Sequence, residues 1–168
     1  LVTGGDSDSA GVIVDASPGV TVRNNSLDVS STSSAMGVRV EGGSHNAGVE
    51  GNNIGVMAPW VTGILVMDSR FVAVNGNQVS AQGRLSTNFT IGFVTSAKGI
   101  FAQGAEGLLV QGNSFNVMNV VERDPAAPAQ VINAPNFTEF GPGAELNFLN
   151  GEDEEGALAR GIVVFDTP

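Results

Sequence analysis

One pattern, Val-x-Gly/Asn-Asn-x-apolar, recurs along the chain and constrains the fold more than any other feature. It occurs as VRNNSL at 22–27, VEGNNI at 49–54, VNGNQV at 74–79 and VQGNSF at 110–115. A second pattern, glycine followed by apolar-x-apolar, alternates with the first. Its glycines are Gly11, Gly37, Gly63, Gly99 and Gly161, at spacings of 26, 26, 36 and 62 residues. Repeats this short cannot bury a hydrophobic face alone, so the units must stack on their neighbours.

Each unit contains three short segments with the period-two alternation of β-strands. In the second unit we place strands at Val38–Val40, in a segment ending at Val49, and at Ile54–Val56. Gly and Asn recur in every segment, which excludes helices, and identical positions in identical order favour parallel stacking. The predicted inward columns are Val12, Val38, Ile64, Ile100, Ile162; Val22, Val49, Val74, Val110; and Leu27, Ile54, Val79, Phe115.

The repeated asparagines are predicted to lie above one another at a tight bend between the second and third strands. They are Asn25, Asn52, Asn77 and Asn113. A side-chain amide has both donors and an acceptor, so stacked asparagines can bond along the row and to the backbone of the bend. The preceding residues are types that tolerate left-handed backbone angles. These are Asn24, Gly51, Gly76 and Gly112.

With these motifs the chain resembles the right-handed parallel β-helices of the pectin lyase-like superfamily, over residues 11–118 and 161–166. The resemblance implies an all-β fold, a single-stranded right-handed parallel β-helix of about four to five coils with an asparagine ladder. We expect one such domain over 1–168, with loop insertions at 82–98 and 118–160 on one edge. The superfamily includes pectate lyases, polysaccharide epimerases and hydrolases, phage tailspikes and non-catalytic surface proteins, so the fold alone does not define a function.

The net charge and the length of the apolar runs limit the classes of partner that the chain can bind. A formal net charge of −10 repels nucleic acid and anionic membrane surfaces, so we expect neither as a partner. Apolar runs are too short for a membrane-spanning helix, and no membrane insertion is expected. A polysaccharide or a protein surface remains, and the resemblance implies an extracellular or cell-surface location.

Lyases of this superfamily commonly carry acidic calcium ligands and a basic catalytic residue on the outward face of the first strand and its bordering loops. The matching column here is mostly apolar: Ile13, Arg39, Leu65, Phe101 and Val163. Asp15 and Glu41 follow it and are expected about 5 Å apart in adjacent coils. Their repulsion must be relieved by a cation, a proton or Arg39. Asp15, Arg39 and Glu41 are therefore the catalytic candidates, with solvated acids as the alternative.

Metal ligands are few. Asp6 and Asp8 alternate as in a calcium loop but lack its other ligands, so Asp6, Asp8, Asp15 and Glu41 are the candidates for Ca²⁺. His45 is the single histidine and is predicted to lie in a surface turn. No other cofactor is indicated.

The variable stretches 30–36, 57–62, 82–98 and 118–160 all separate the third strand of one unit from the first strand of the next. We therefore predict loops that leave a single edge of the helix. Their aromatic residues define the predicted ligand-binding edge: Trp60, Phe89, Phe93, Phe137 and Phe140. For Trp60 the alternative is packing beneath 82–98. The stretch 118–160 is too apolar for a free linker and is expected to fold back on the outward column.

Two functions remain open. The first is a non-catalytic β-helix scaffold or adhesion module of an extracellular or surface protein that contacts carbohydrate. The second is a carbohydrate-active enzyme domain of the polysaccharide lyase or epimerase type, which a basic residue facing Asp15 and Glu41 across a cleft would favour. Neither end of the sequence supplies an amphipathic cap. We expect a fragment of a longer chain, or ends covered by an adjacent domain, an oligomer or the long insertion.

Overall fold

The computed structural model of the protein describes residues 2–3, 8–84, 95–121, 130–133, 139–140, 151–152 and 158–165. These residues are all-β, and none of them belongs to a helix that could cross a membrane. The strands in chain order are β1 (Val2–Thr3), β2 (Ser9–Asp15), β3 (Thr21–Arg23), β4 (Ser26–Ser30), β5 (Ser34–Glu41), β6 (Gly48–Glu50), β7 (Asn53–Ala58), β8 (Trp60–Met67), β9 (Ala73–Asn75), β10 (Gln78–Arg84), β11 (Ser96–Gln103), β12 (Leu109–Gln111), β13 (Ser114–Val121), β14 (Gln130–Asn133), β15 (Glu139–Phe140), β16 (Gly151–Glu152) and β17 (Leu158–Phe165).

The strands of each unit enter three different sheets. Sheet A has the order β1-β4-β7-β10-β13-β14, sheet B the order β16-β17-β11-β8-β5-β2, and sheet C the order β15-β12-β9-β6-β3. Strands of successive units pair in parallel within each sheet. Three stacks of parallel strands are compatible with a parallel β-helix.

The inward columns of the sequence pair in register. Val38 lies between Val12 and Ile64, Val49 pairs with Val22, and Ile54 pairs with Leu27. Almost all members of the columns are buried; Val12 and Leu27 of the first unit are half-buried. Burial of each Val or Ile side chain contributes about 1.5–3 kcal/mol, so these columns are the main source of stability.

Several connections between sheets A and B are shorter than expected. The prediction of a loop at 57–62 was wrong. β7 ends at Ala58 and β8 begins at Trp60, so Pro59 alone separates them. Ala58 and Val61 are both buried, which shows that the apolar interior continues through this corner. In the stretch 82–98, residues 82–84 belong to β10 and residues 96–98 belong to β11. Residues 85–94 lie outside the described part.

The repeated glycine interrupts the register inside each long strand of sheet B, because the paired residues stop before the glycine and resume after it. Buried side chains on its two sides are three residues apart, as in Val61 and Ile64, so the period-two alternation breaks there. A Cβ on Gly63 would clash with Cγ1 of Val79 and would lie 2.6 Å from the carbonyl oxygen of Gly99. The absence of a side chain therefore lets sheet B pack against the interior face of sheet A.

Left-handed backbone angles recur at equivalent bends of successive units. After the sheet B strand they occur at Ala16, Gly42, Asp68 and Gly104; before the sheet C strand at Gly19, Asn46, Phe71 and Gly107; and after the sheet C strand at Asn24, Gly51, Gly76 and Gly112. The last column matches the residues that the sequence motif predicts. Phe71 is the bulky exception in its column, with φ of 55°.

Short strands from the long insertion at 118–160 form the outermost strand at one edge of each of the three sheets. β14 pairs with β13 in sheet A, β15 with β12 in sheet C, and β16 with β17 in sheet B. All three pairings are antiparallel, unlike the parallel pairings between units. The insertion thus supplies a reversed strand to the final edge of each sheet.

Candidate functional site

The repeated asparagines form a continuous hydrogen-bonded row. The Nδ2 atoms of Asn25, Asn52 and Asn77 each donate to Oδ1 of the next asparagine, at 3.1, 3.0 and 2.8 Å. The backbone N–H groups of the same three residues donate to those oxygens at 2.9–3.0 Å. Nδ2 of Asn77 also donates to the carbonyl oxygen of Val49 at 2.8 Å. Asn52, Asn77 and Asn113 are buried, so their amides bind the bend rather than a ligand.

The outward column lies on sheet B in the predicted register. Ile13, Arg39, Leu65, Phe101 and Val163 are successive partners. Ile13 is 56% exposed, whereas Val163 at the other end is fully buried. Nζ of Lys98 lies 5.2 Å from the centroid of the Phe101 ring, at cation–π distance. The face is therefore mostly apolar, with few groups for acid–base chemistry.

Asp15, Arg39 and Glu41 come together at the end of this face. Asp15 and Glu41 are register partners in β2 and β5. Nη2 of Arg39 lies 2.6 Å from Oε2 of Glu41, two residues along the same strand, and the two side chains are 33% and 20% exposed. Asp15 is exposed, and its Oδ1 lies against Gly42. Arg39 thus neutralises Glu41 on its own strand rather than facing the acids across a cleft.

Of the remaining metal candidates, only Asp8 belongs to the described residues. Asp8 is exposed at the start of the first unit, and Asp6 lies outside the described residues. Within the described part of the chain, no three His, Cys, Asp or Glu side chains form a cluster that could hold a metal ion. His45 lies in a turn between β5 and β6, and its Nδ1 accepts a hydrogen bond from the backbone N–H of Arg70 at 3.1 Å.

Trp60 begins β8 rather than lying in a loop. It is 50% exposed, and its register neighbours are Ser34 and Ser96. Met57, on the other side of Pro59, is 43% exposed. The corner between sheets A and B therefore presents a half-exposed indole on a paired strand.

The other aromatic residues of the predicted ligand-binding edge are placed differently. Phe140 belongs to β15 and pairs with Val110 in sheet C, whereas Trp60 is in sheet B. Phe89, Phe93 and Phe137 lie outside the described residues. Among the five predicted aromatic residues, Trp60 is therefore the one whose side chain the structure describes.

The sequence interpretation missed Phe71, which is 58% exposed. A signal was present, because alignment of the units puts Phe71 in the column of Gly19, Asn46 and Gly107. A large aromatic residue in a column of Gly and Asn contradicts the local backbone requirement, and such conflicts mark candidate functional positions.

Comparison of the chain with protein-family models, with curated proteins and with solved structures found no match. Side chains on the described surface offer exposed aromatic rings and an ion pair at the end of an apolar face.

Proposed function

We propose that this chain is a right-handed parallel β-helix with an asparagine ladder, of the pectin lyase-like type, and that it is a non-catalytic scaffold or adhesion module. Its partner is a neutral or basic polysaccharide, which it contacts through Trp60 at the extracellular or cell surface. The half-exposed indole on β8 carries this proposal.

A tryptophan on a paired strand suits sugar binding because its backbone is already ordered, so little conformational entropy is lost when the ligand binds. The apolar C–H face of a sugar ring packs on an aromatic face, while the hydroxyl groups remain available for polar contacts. Met57 adds a second exposed apolar side chain at the same corner. The net charge of −10 disfavours acidic polysaccharides, so a neutral or basic glycan is the better partner.

The pairing of Arg39 supports a non-catalytic role. A catalytic side chain must reach the reacting atoms of a bound substrate, whereas the guanidinium of Arg39 is held 2.6 Å from the carboxylate of Glu41 on its own strand. The convergence of Asp15, Arg39 and Glu41 nevertheless supports a second candidate, a polysaccharide lyase or epimerase. A lyase would generate unsaturated products that absorb ultraviolet light, and Arg39→Ala would abolish their formation.

Fluorescence offers a direct test, because Trp60 is the only tryptophan and the chain has no tyrosine. Titration with neutral oligosaccharides should shift the emission of residue 60 itself. Retention of Trp60→Ala in affinity electrophoresis against the same polysaccharides should fall about tenfold, which corresponds to about 1.4 kcal/mol.

Ile13→Ala is the matched control, because Ile13 is also a strongly exposed apolar residue of sheet B. Its retention should equal that of the wild type. Retention of Trp60→Ala at the wild-type level would rule out Trp60 as the contact.

A further inference from the structure

We propose that Phe71, together with the ion pair between Arg70 and Glu106, forms a second carbohydrate-binding subsite at the bend that joins sheets B and C. The subsite takes one residue of a neutral glycan and rests on the proposed function, carbohydrate binding. It does not depend on Trp60, which begins β8, whereas Phe71 follows the end of β8 at Met67.

The backbone at Phe71 is the first observation. Its φ of 55° is in the left-handed region, where a bulky side chain is a rare outlier. The equivalent bends carry Gly19, Asn46 and Gly107, which tolerate this conformation. Because Phe71 is 58% exposed, burial offsets only part of the strain. The requirements of folding therefore do not account for an aromatic residue here.

The position of the ring is the second observation. A Cβ on Gly107 would lie 2.6 Å from Cδ1 and 3.0 Å from Cε1 of Phe71. The ring thus occupies the space that a side chain at 107 would fill. This contact holds one edge of the ring against the next unit while the rest of the side chain is in solvent.

A polar frame runs alongside this contact, one residue earlier in each bend. Nε of Arg70 lies 3.1 Å from Oε2 of Glu106, and the two side chains are 61% and 42% exposed. The backbone N–H of Phe71 donates to the carbonyl oxygen of Glu106 at 2.7 Å. In the other direction, the backbone N–H of Asn46 donates to the carbonyl oxygen of Arg70 at 2.9 Å. The ring and the ion pair are therefore fixed to a hydrogen-bonded backbone.

This combination fits a sugar better than a protein. The ring can pack on the C–H face of a pyranose, while guanidinium and carboxylate groups bond to adjacent hydroxyls. The ion pair has no net charge, which suits a neutral glycan. A stable protein interface needs an apolar centre with several anchors. Phe71 instead follows Arg70 directly, and its backbone N–H donates to the carbonyl oxygen of Glu106, the other member of the ion pair.

The decisive variants are Phe71→Asn and Phe71→Tyr, each made in the wild type and in Trp60→Ala. Asn is already present at the equivalent position, Asn46, so Phe71→Asn should fold with a melting temperature equal to or above that of the wild type. Affinity electrophoresis against xylan, galactomannan, β-glucan and dextran should show retention reduced at least fivefold by Phe71→Asn in both backgrounds. Phe71→Tyr keeps the aromatic face and should retain binding.

The outcomes separate the two sites. Loss of binding in Trp60→Ala with none in Phe71→Asn overturns the subsite and leaves the Trp60 proposal intact, whereas the reverse result supports the subsite alone. A wild-type protein that none of the four polysaccharides retards overturns both. A fall in melting temperature that accompanies the loss of binding in Phe71→Asn would identify the ring as a packing element and also overturn the subsite.

Discussion

At the scale of single residues, the buried amides were predictable and the ion pairs only partly so. A repeated asparagine between apolar strands has few ways to satisfy its donors once it is buried, and bonding to its own copies is the one that repetition supplies. Arg39 was recognised as one of three means of relieving the repulsion between Asp15 and Glu41. Alternation places residues 39 and 41 on the same face of β5, but the side-chain conformation that joins them depends on packing, which the sequence pattern does not describe.

Asn77→Ala tests the asparagine row. The substitution removes the acceptor of the Asn52 backbone N–H and the donor to Val49, both in the interior. We expect it to lower the free energy of unfolding by about 2–4 kcal/mol. Asn25→Ala is the control, because Asn25 is exposed at the end of the row and should cost less than about 1 kcal/mol. Equal denaturation midpoints in urea would contradict this account of the row.

The pair of Arg39 and Glu41 allows a test of what the ion pair contributes to stability. Arg39→Leu alone leaves a mostly buried carboxylate unpaired and should cost about 1–3 kcal/mol. Arg39→Leu with Glu41→Gln extends the apolar column between Ile13 and Leu65 and should restore most of that loss. Thermal unfolding of the three proteins measures this. A double variant no more stable than Arg39→Leu would mean that the ion pair is not what fixes this part of β5.

At the scale of the strands, the repeat predicted which segments pair. It placed the start of each sheet B strand too close to the glycine, however, because β5 and β8 begin three residues before it. The period-two alternation breaks at Gly37 and Gly63, so residues upstream of each glycine were assigned to loops. Ala35 and Val61 are nevertheless buried strand residues. To predict this interruption would require knowledge of how closely sheets A and B approach, which is a property of the packed units and not of one strand.

Gly63→Ala tests the close packing at the repeated glycine. Its added Cβ would meet the carbonyl oxygen of Gly99 at 2.6 Å, a backbone atom that cannot move without shifting the next unit. We expect a loss of about 2–3 kcal/mol. Gly55→Ala is the matched control, because its nearest contacts are ordinary ones at 3.7 Å. Its stability should stay within about 0.5 kcal/mol of the wild type or rise. If both variants unfold at the same urea concentration, close packing at Gly63 is not what requires glycine.

At the scale of the whole molecule, the insertion acts on the edges of all three sheets. Open parallel edges offer unpaired N–H and C=O groups to other chains. The antiparallel strands β14, β15 and β16 occupy those edges after the last units. The sequence could not predict them in detail, because strands of two to four residues are too short to show a periodic signal.

Proline substitution in β14 tests the protective effect. Val131 and Ile132 pair with Val120 and Asn119, and one of two consecutive N–H groups in an antiparallel strand faces its partner. Val131→Pro with Ile132→Pro should therefore expose the edge of β13 and cause self-association that increases with concentration. Light scattering coupled to gel filtration measures the mass. Val131→Thr with Ile132→Thr keeps both N–H groups and should match the wild type, and a monomeric proline variant would show that β14 is not needed to block this edge.

Because the antiparallel strands β14, β15 and β16 pair only with the strands at one edge of each sheet, the number of stacked units is independent of how those edges are covered. Each interior unit presents the same asparagine, the same repeated glycine and the same inward columns to the units before and after it. A duplicated unit of 26 residues placed between Gly37 and Gly63 would therefore meet compatible neighbours on both sides, and the terminating strands would be unaffected. The number of repeat units in such a chain can therefore change by duplication within the gene, and the same edge-covering strands still serve.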